Sequence, residues 1–313
     1  MLLRVFTEPQ QGASYDQQVR VAQLAEHLGF DAFFRSDHFL AMGDSDGLPG
    51  PTDAWVTLAG IARETSRIRL GTLMTSATFR LPGLLAVAVA EVDAMSHGRI
   101  ELGLGSGWFD TEHSAYGVPF PPLGERFDRL EEQLAIITGM WACPPGDRFS
   151  FHGDHYQLED CPALPKPVQR PGPPVIIGGH GQTHTPRLAA TYAAEVNVPF
   201  GSATDTAAQF RRAKTACEDM GRDPGSLACS AAQVVCCGRN EAELVRRADD
   251  IGRSLDELRQ NGLCGTPDEV VEKLAGFADF GTDRVYLQFL TLDDLEHLEL
   301  IGQEVLPAAG GLG

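Results

Sequence analysis

Short apolar runs of strand length alternate with amphipathic runs of helix length along this 313-residue chain, at a spacing of roughly 30 to 40 residues. Strand-like runs fall at 2–7, 32–35, 69–75, 100–104, 175–177, 196–198, 227–237 and 284–290. Helical spacing falls at 15–28, 53–64, 81–95, 124–141, 186–194, 203–220, 240–261, 267–280 and 293–305, with Asp53 placed to cap the second helix. Alternation of this kind implies a parallel sheet covered by helices. Eight units close most simply into a (β/α)8 barrel, and an open doubly wound sheet is the structural alternative. The rhythm breaks only at about 142–173, where prolines surround an alternating segment, 149–158, that predicts a hairpin. We read residues 1–313 as one barrel domain carrying that insertion after its fourth strand.

The formal net charge of −18 argues against a nucleic-acid partner, which needs concentrated Lys and Arg against phosphates. It fits a protein that handles small molecules, with any anionic ligand held by local donors. The seven cysteines are irregularly spaced without a Cys-x-x-Cys, and Cys229, Cys236 and Cys237 lie in or beside an apolar run. They read as small buried residues in a reducing compartment. No signal-peptide pattern opens the chain, and the longest apolar stretch, near 84–92, is too short to span a bilayer. The expectation is a cytoplasmic protein without a membrane partner.

A barrel of this type builds its active site from the loops after the strands, which converts the sequence into a short set of candidates. Glu8 and Gln10 follow the first strand, Arg35-Ser-Asp-His-Phe39 the second, and Thr75, Ser76 and Arg80 belong to the segment after the third. His38 beside Asp37 can shuttle a proton near neutral pH; the competing reading is that Asp37 caps a turn and His38 only packs. Glu8 is a candidate acid if burial raises its pKa. Arg35 and Arg80 are candidates to meet an anionic group.

The fourth strand runs into Gly103-Leu-Gly-Ser-Gly-Trp108, where Gly105, Ser106 and Gly107 expose bare backbone to a flat ligand and Trp108 opens a helix. A dinucleotide turn is the rival reading, but the spacing is Gly-x-Gly-x-Gly and no second strand follows at βαβ length. After the fifth strand, Gly178-Gly-His-Gly181 through Thr185 leads into a helix at Pro186. Gly178, Gly179, His180, Gly181 and Thr185 form a natural cradle for a phosphate. The pairs His152/His155 and His180/His184 lack further ligands at metal spacing, so no metal site is expected.

Several of these segments together resemble the luciferase-like monooxygenase superfamily over nearly the full length, and within it the actinobacterial F420-dependent oxidoreductases. They are Phe6-Thr-Glu-Pro-Gln-Gln11, Leu28–Phe39, Arg99–His113, Pro119–Phe127, and Pro165–Arg170 leading into Ile176-Ile-Gly-Gly179. The resemblance implies a bacterial-luciferase-type TIM barrel, a homodimer, and a deazaflavin or flavin ring at the strand ends. It also implies a non-prolyl cis peptide behind the ring near Leu73–Met74, roles close to ring or substrate for Asp37 and His38, and a pocket wall at Trp108. Some F420 enzymes of the superfamily carry a glutamate where Trp108 stands, and several FMN-using members an arginine where Ser106 stands. The implied activity is hydride transfer between coenzyme F420 and a small organic substrate, since a deazaflavin does not readily activate oxygen. The alternatives are an FMNH2-dependent monooxygenase on the same barrel and a non-catalytic flavin carrier.

Overall fold

Local signals set the elements before packing completes them. The helix Tyr15–Leu28 opens with a capping box between Ser14 and Gln17 and ends at Gly29, whose φ of 91° continues no helix. The helix Ala54–Glu64 is capped by Asp53, which accepts from the amides of Trp55 and Val56. These and the following observations come from a computed structural model that describes residues 1–43 and 45–312.

Among the described residues the strands are β1 (Leu2–Thr7), β2 (Ala32–Arg35), β3 (Arg69–Thr72), β4 (Thr75–Ser76), β5 (Ile100–Gly105), β6 (Phe149–His152), β7 (Gln157–Cys161), β8 (Val175–Gly178), β9 (Glu195–Pro199), β10 (Ala228–Cys237), β11 (Leu263–Gly265) and β12 (Arg284–Phe289). Eight of them pair in parallel in the order β1-β2-β3-β5-β8-β9-β10-β12, and β12 pairs back onto β1. The sheet therefore closes into a (β/α)8 barrel, and the open-sheet alternative falls. The antiparallel hairpin β6–β7 occupies the expected insertion. Glu132, on the helix Leu123–Ala142, pins it by accepting from the amides of Asp154, His155 and Tyr156.

Several elements differ from the expectation, among them the helix expected to open at Trp108, which begins at Asp110. The third strand is broken into β3 and β4 at Leu73–Met74, where the peptide bond is cis as the resemblance implied, and both pieces pair with β5. The divided helical layer contains the short strand β11 beside the far end of β10, with Cys236 opposite Cys264. Three residues are too few for a periodic signal. The helix expected from Pro186 begins at His184; proline fits a first helical turn because its missing N–H has no partner there in any case.

Inside the barrel, Phe6, Phe34, Leu73, Ile176, Ala232 and Tyr286 form one apolar layer. A Cβ at Gly71 would occupy the space of the Phe34 ring, so glycine makes room for the larger side chain. Below this layer the N-terminal end is closed by a buried ionic plug. Arg4 donates to Asp31 at 2.6 Å, to both oxygens of Glu101 at 2.7 and 3.1 Å, and to the Tyr286 hydroxyl at 2.8 Å. That hydroxyl donates to Glu195 at 2.7 Å, while Arg69 pairs with Glu101 and Arg284 with Glu195. Three cations meet three anions there, so the strand ends are locked without net charge.

Candidate active site

The opposite, C-terminal ends of the strands open into a cavity of about 490 Å³, a size suited to a small organic ligand. Its floor is the apolar layer just described, through Phe6, Leu73 and Ala232. One side is Met74, Thr75 and Ser76 with Gly105, Ser106 and Gly107; Gly178, Gly179 and His180 form another, and Glu8 and His38 face the same space. Trp108 stands at the mouth, 65% exposed, stacked on Phe109 with ring centroids 5.3 Å apart and edge-on to His38 at 5.7 Å.

Several glycines here are needed as glycines. Gly107 has a φ of 79°, and a Cβ there would strike the Ser76 hydroxyl. A Cβ on Gly103, lower on β5, would run into the Thr72 carbonyl. A Cβ on Gly178 would lie 2.5 Å from the Met74 terminal methyl. The result is a side of the cavity made of backbone, against which a planar ring can lie.

His38 is held from behind by Glu112, on the short helix Asp110–Ala115. Its Nδ1 lies 2.9 Å from Glu112 Oε2, while Oε1 accepts from the Phe39 amide and from the Leu40 amide at 3.1 Å. Burial alone would raise the Glu112 carboxyl, but the His38 ring and these two amides hold it below the usual range. An ionised Glu112 places the hydrogen of a neutral His38 on Nδ1, which leaves Nε2 as the nitrogen free to exchange a proton. Glu112 was not singled out from the sequence, because a partner on another loop has no local signature. Burial pushes the Glu8 carboxyl upward, opposed by the charges of His38 and Arg253 and by the Gln288 amide.

Asp37, the neighbour of His38, does not line the cavity. It is buried, accepts from the Thr75 hydroxyl at 2.9 Å and pairs with Arg80 at 3.2 Å. Arg80 also reaches Asp53 at 2.8 Å. Arg35 points away and is spent on Ser36 O at 2.8 Å, Thr52 Oγ1 at 2.7 Å and Thr52 O at 2.9 Å. Neither arginine is open to a ligand. Gly181 and Thr185 also lie off the wall: Thr185 is buried in the first turn of the helix His184–Tyr192, where a Cβ on Gly181 would meet its hydroxyl at 2.6 Å. His184 stacks on Phe127 at 4.9 Å, and His152 lies 3.6 Å from Glu159.

Further groups complete the wall. His113 bonds through Nδ1 to the Phe109 carbonyl and through Nε2 to the Thr78 hydroxyl, each at 2.6 Å. Phe79, Phe109, Pro199 and Phe200 add apolar surface, and Asn197 lies beside Gly178.

Chemistry gathered at the strand ends, above a closed and inert lower half, defines an enzyme of the (β/α)8 class. Residues 1–261 match the luciferase-like monooxygenase family, and the chain belongs to it. It is 30% identical over 330 residues to an F420-dependent glucose-6-phosphate dehydrogenase of Microbacterium testaceum, covering 91% of this chain and 90% of the relative. It is 26% identical to an FMNH2-dependent dimethylsulfone monooxygenase of Pseudomonas putida, covering 93% and 87%. Among solved structures, an F420-dependent secondary alcohol dehydrogenase in complex with an F420-acetone adduct superposes with a TM-score of 0.87 at 18% identity, covering 98% of each chain.

Proposed function

We propose that this protein is an F420-dependent oxidoreductase that moves a hydride between the deazaflavin ring and a small organic substrate. The observation that carries this reading is the backbone wall at Gly105–Gly107 beside a histidine oriented by a buried carboxylate. The kinship with F420-dependent dehydrogenases supports the choice of cofactor. Leu73 and Met74 lie behind the wall, and Thr75 and Ser76 flank it. The helix His184–Tyr192 carries no side-chain cap at Thr183, so its first-turn amides are open to a phosphate next to Gly178, Gly179 and His180.

When bound, the deazaflavin supplies a ring carbon that gives or takes a hydride. The chain's own residues do the rest. The glycine wall fixes the plane of the ring, and Trp108 and the phenylalanines exclude water. His38 Nε2 holds or accepts the proton that accompanies the hydride, and Glu8, whose burial favours its protonated form, is the second proton carrier within reach of the cavity. Asp37 acts through Thr75 and Arg80, as a positioning residue.

An FMNH2-dependent monooxygenase is the second reading, favoured by the dimethylsulfone relative. We read the whole chain as one barrel domain in the cytoplasm, where its seven unpaired cysteines, five of them buried, stay reduced. We read it as a homodimer closing over Val56, Leu81 and Leu84, which are 74%, 62% and 70% exposed on adjacent helices. A fluorescence titration tests the cofactor. The protein should quench F420 at about micromolar concentrations and leave FMN little affected; tight FMN binding without an F420 response overturns the reading. A protein that binds F420 and turns over no substrate is a carrier.

A further inference from the structure

Among the described residues, the cavity wall contains no lysine and no arginine. The arginines nearest to it are committed elsewhere. Arg35 and Arg80 are bound as described above. Arg126 stacks 4.1 Å from the centroid of the Phe120 ring and donates to the Gly107 carbonyl from behind the wall. Arg253 lies outside the wall, half exposed, 3.7 Å from Glu257. The wall histidines do not replace them. His113 has both nitrogens engaged, His38 is turned toward Glu112, and His180 stands exposed on the loop assigned above to the cofactor.

The charges that do line the cavity are carboxyls. Glu112 is satisfied by three donors, and burial pushes the Glu8 carboxyl upward. Around them the surface is Phe6, Leu73, Phe79, Phe109, Phe200 and Ala232. A phosphate or carboxylate brought into such a site loses its water and meets no counter-charge.

We propose that the substrate half of this cavity takes an uncharged alcohol or carbonyl compound of mainly apolar surface and rejects sugar phosphates and carboxylates. This deepens the F420 reading and rests on it for the chemistry. The reaction keeps the substrate neutral throughout. The alcohol loses a hydride from its carbinol carbon to the deazaflavin and its hydroxyl proton to His38, and leaves as a ketone or aldehyde; the reverse direction returns both. The alcohol is oxidised as the cofactor is reduced.

The test is calorimetric titration of the full chain, with and without F420, using cyclohexanone and glucose 6-phosphate. Cyclohexanone should bind at least about tenfold more tightly than glucose 6-phosphate. Equal or tighter binding of glucose 6-phosphate, or no binding of cyclohexanone, overturns the proposal. Phe200→Lys, which places a cation on the rim, should raise the affinity for glucose 6-phosphate by about tenfold; no change overturns the claim that missing charge sets the preference. Failure of F420 to bind sinks the cofactor assignment separately, since the ligand preference is also read on the unloaded protein.

Discussion

His38 and Glu112 are 74 residues apart in the chain, and their side chains meet at 2.9 Å because the loop after β2 folds under the helix Asp110–Ala115. The same carboxylate takes the backbone amides of Phe39 and Leu40, so it fixes the loop and the ring together. His38→Ala should lower turnover by about 10²–10⁴-fold while F420 still quenches normally. Glu112→Gln keeps the size and loses the charge. Its kcat should fall on the order of tenfold to a hundredfold, less than for His38→Ala, and full turnover would remove its orienting role.

Asp37 gives the contrasting case. Because its carboxylate is spent on Thr75 and Arg80 rather than on the cavity, Asp37→Asn should act mainly on stability. Urea unfolding should show a loss of about 1–3 kcal/mol. Turnover should fall less than in His38→Ala; an equal fall would return Asp37 to the chemistry.

Gly107 lines the cavity with a φ of 79°, and the Ser76 hydroxyl that a Cβ would strike is itself 2.6 Å from Thr78 Oγ1. Gly107→Ala should therefore weaken F420 binding by roughly tenfold, or about 1.4 kcal/mol, with strain of order 1–3 kcal/mol in the backbone. Undiminished quenching by F420 would place the ring away from this wall.

How much of this was readable in advance follows from the range of each signal. The strands at Leu2–Thr7 and Ala32–Arg35 and the cap at Asp53 are local patterns, and the structure has them where the sequence put them. The closure of the barrel followed from the count of units. The cis bond at Leu73–Met74 was legible only through resemblance. Arg35 and Arg80 were misjudged because a strand-end position states which end of the barrel a side chain occupies, not which way it turns. Thr52 and Asp53, which capture them, lie at the far end of the long loop after β2. Glu112 escaped for the same reason, and Thr185 through a two-residue error in where its helix begins.

A pH dependence of folding follows from His297. It is buried, accepts from the Cys237 amide through Nε2 at 2.9 Å, and is pushed down to about 3 by burial and by the nearby Arg247. Between pH 6.5 and 3 the unfolded chain binds a proton there that the folded chain does not. Stability is therefore fully present above about 6.5 and should fall by up to about 1.4 kcal/mol per unit as the pH drops through this window. His297→Gln should flatten that slope in urea titrations; an unchanged slope would assign it to other groups.

The ionic plug at the bottom of the barrel makes the last prediction. Glu101→Gln leaves Arg4 and Arg69 short of a counter-charge in a closed space. Chemical denaturation should register a loss of about 3–5 kcal/mol, whereas a loss below about 1 kcal/mol would mean that water or a shifted side chain absorbs the change.

That plug also bears on how such a chain can change over time. Its six charges come from five barrel strands and from Asp31, just before β2. A substitution at any one of them is felt by strands that supply the opposite rim. At that rim, each loop leaves its strand and ends in a cavity that demands only shape and an absence of charge. The two ends of one strand thus answer to different kinds of selection. Heritable novelty in what the protein acts on can accumulate loop by loop above, while the lower end admits change only in compensated pairs.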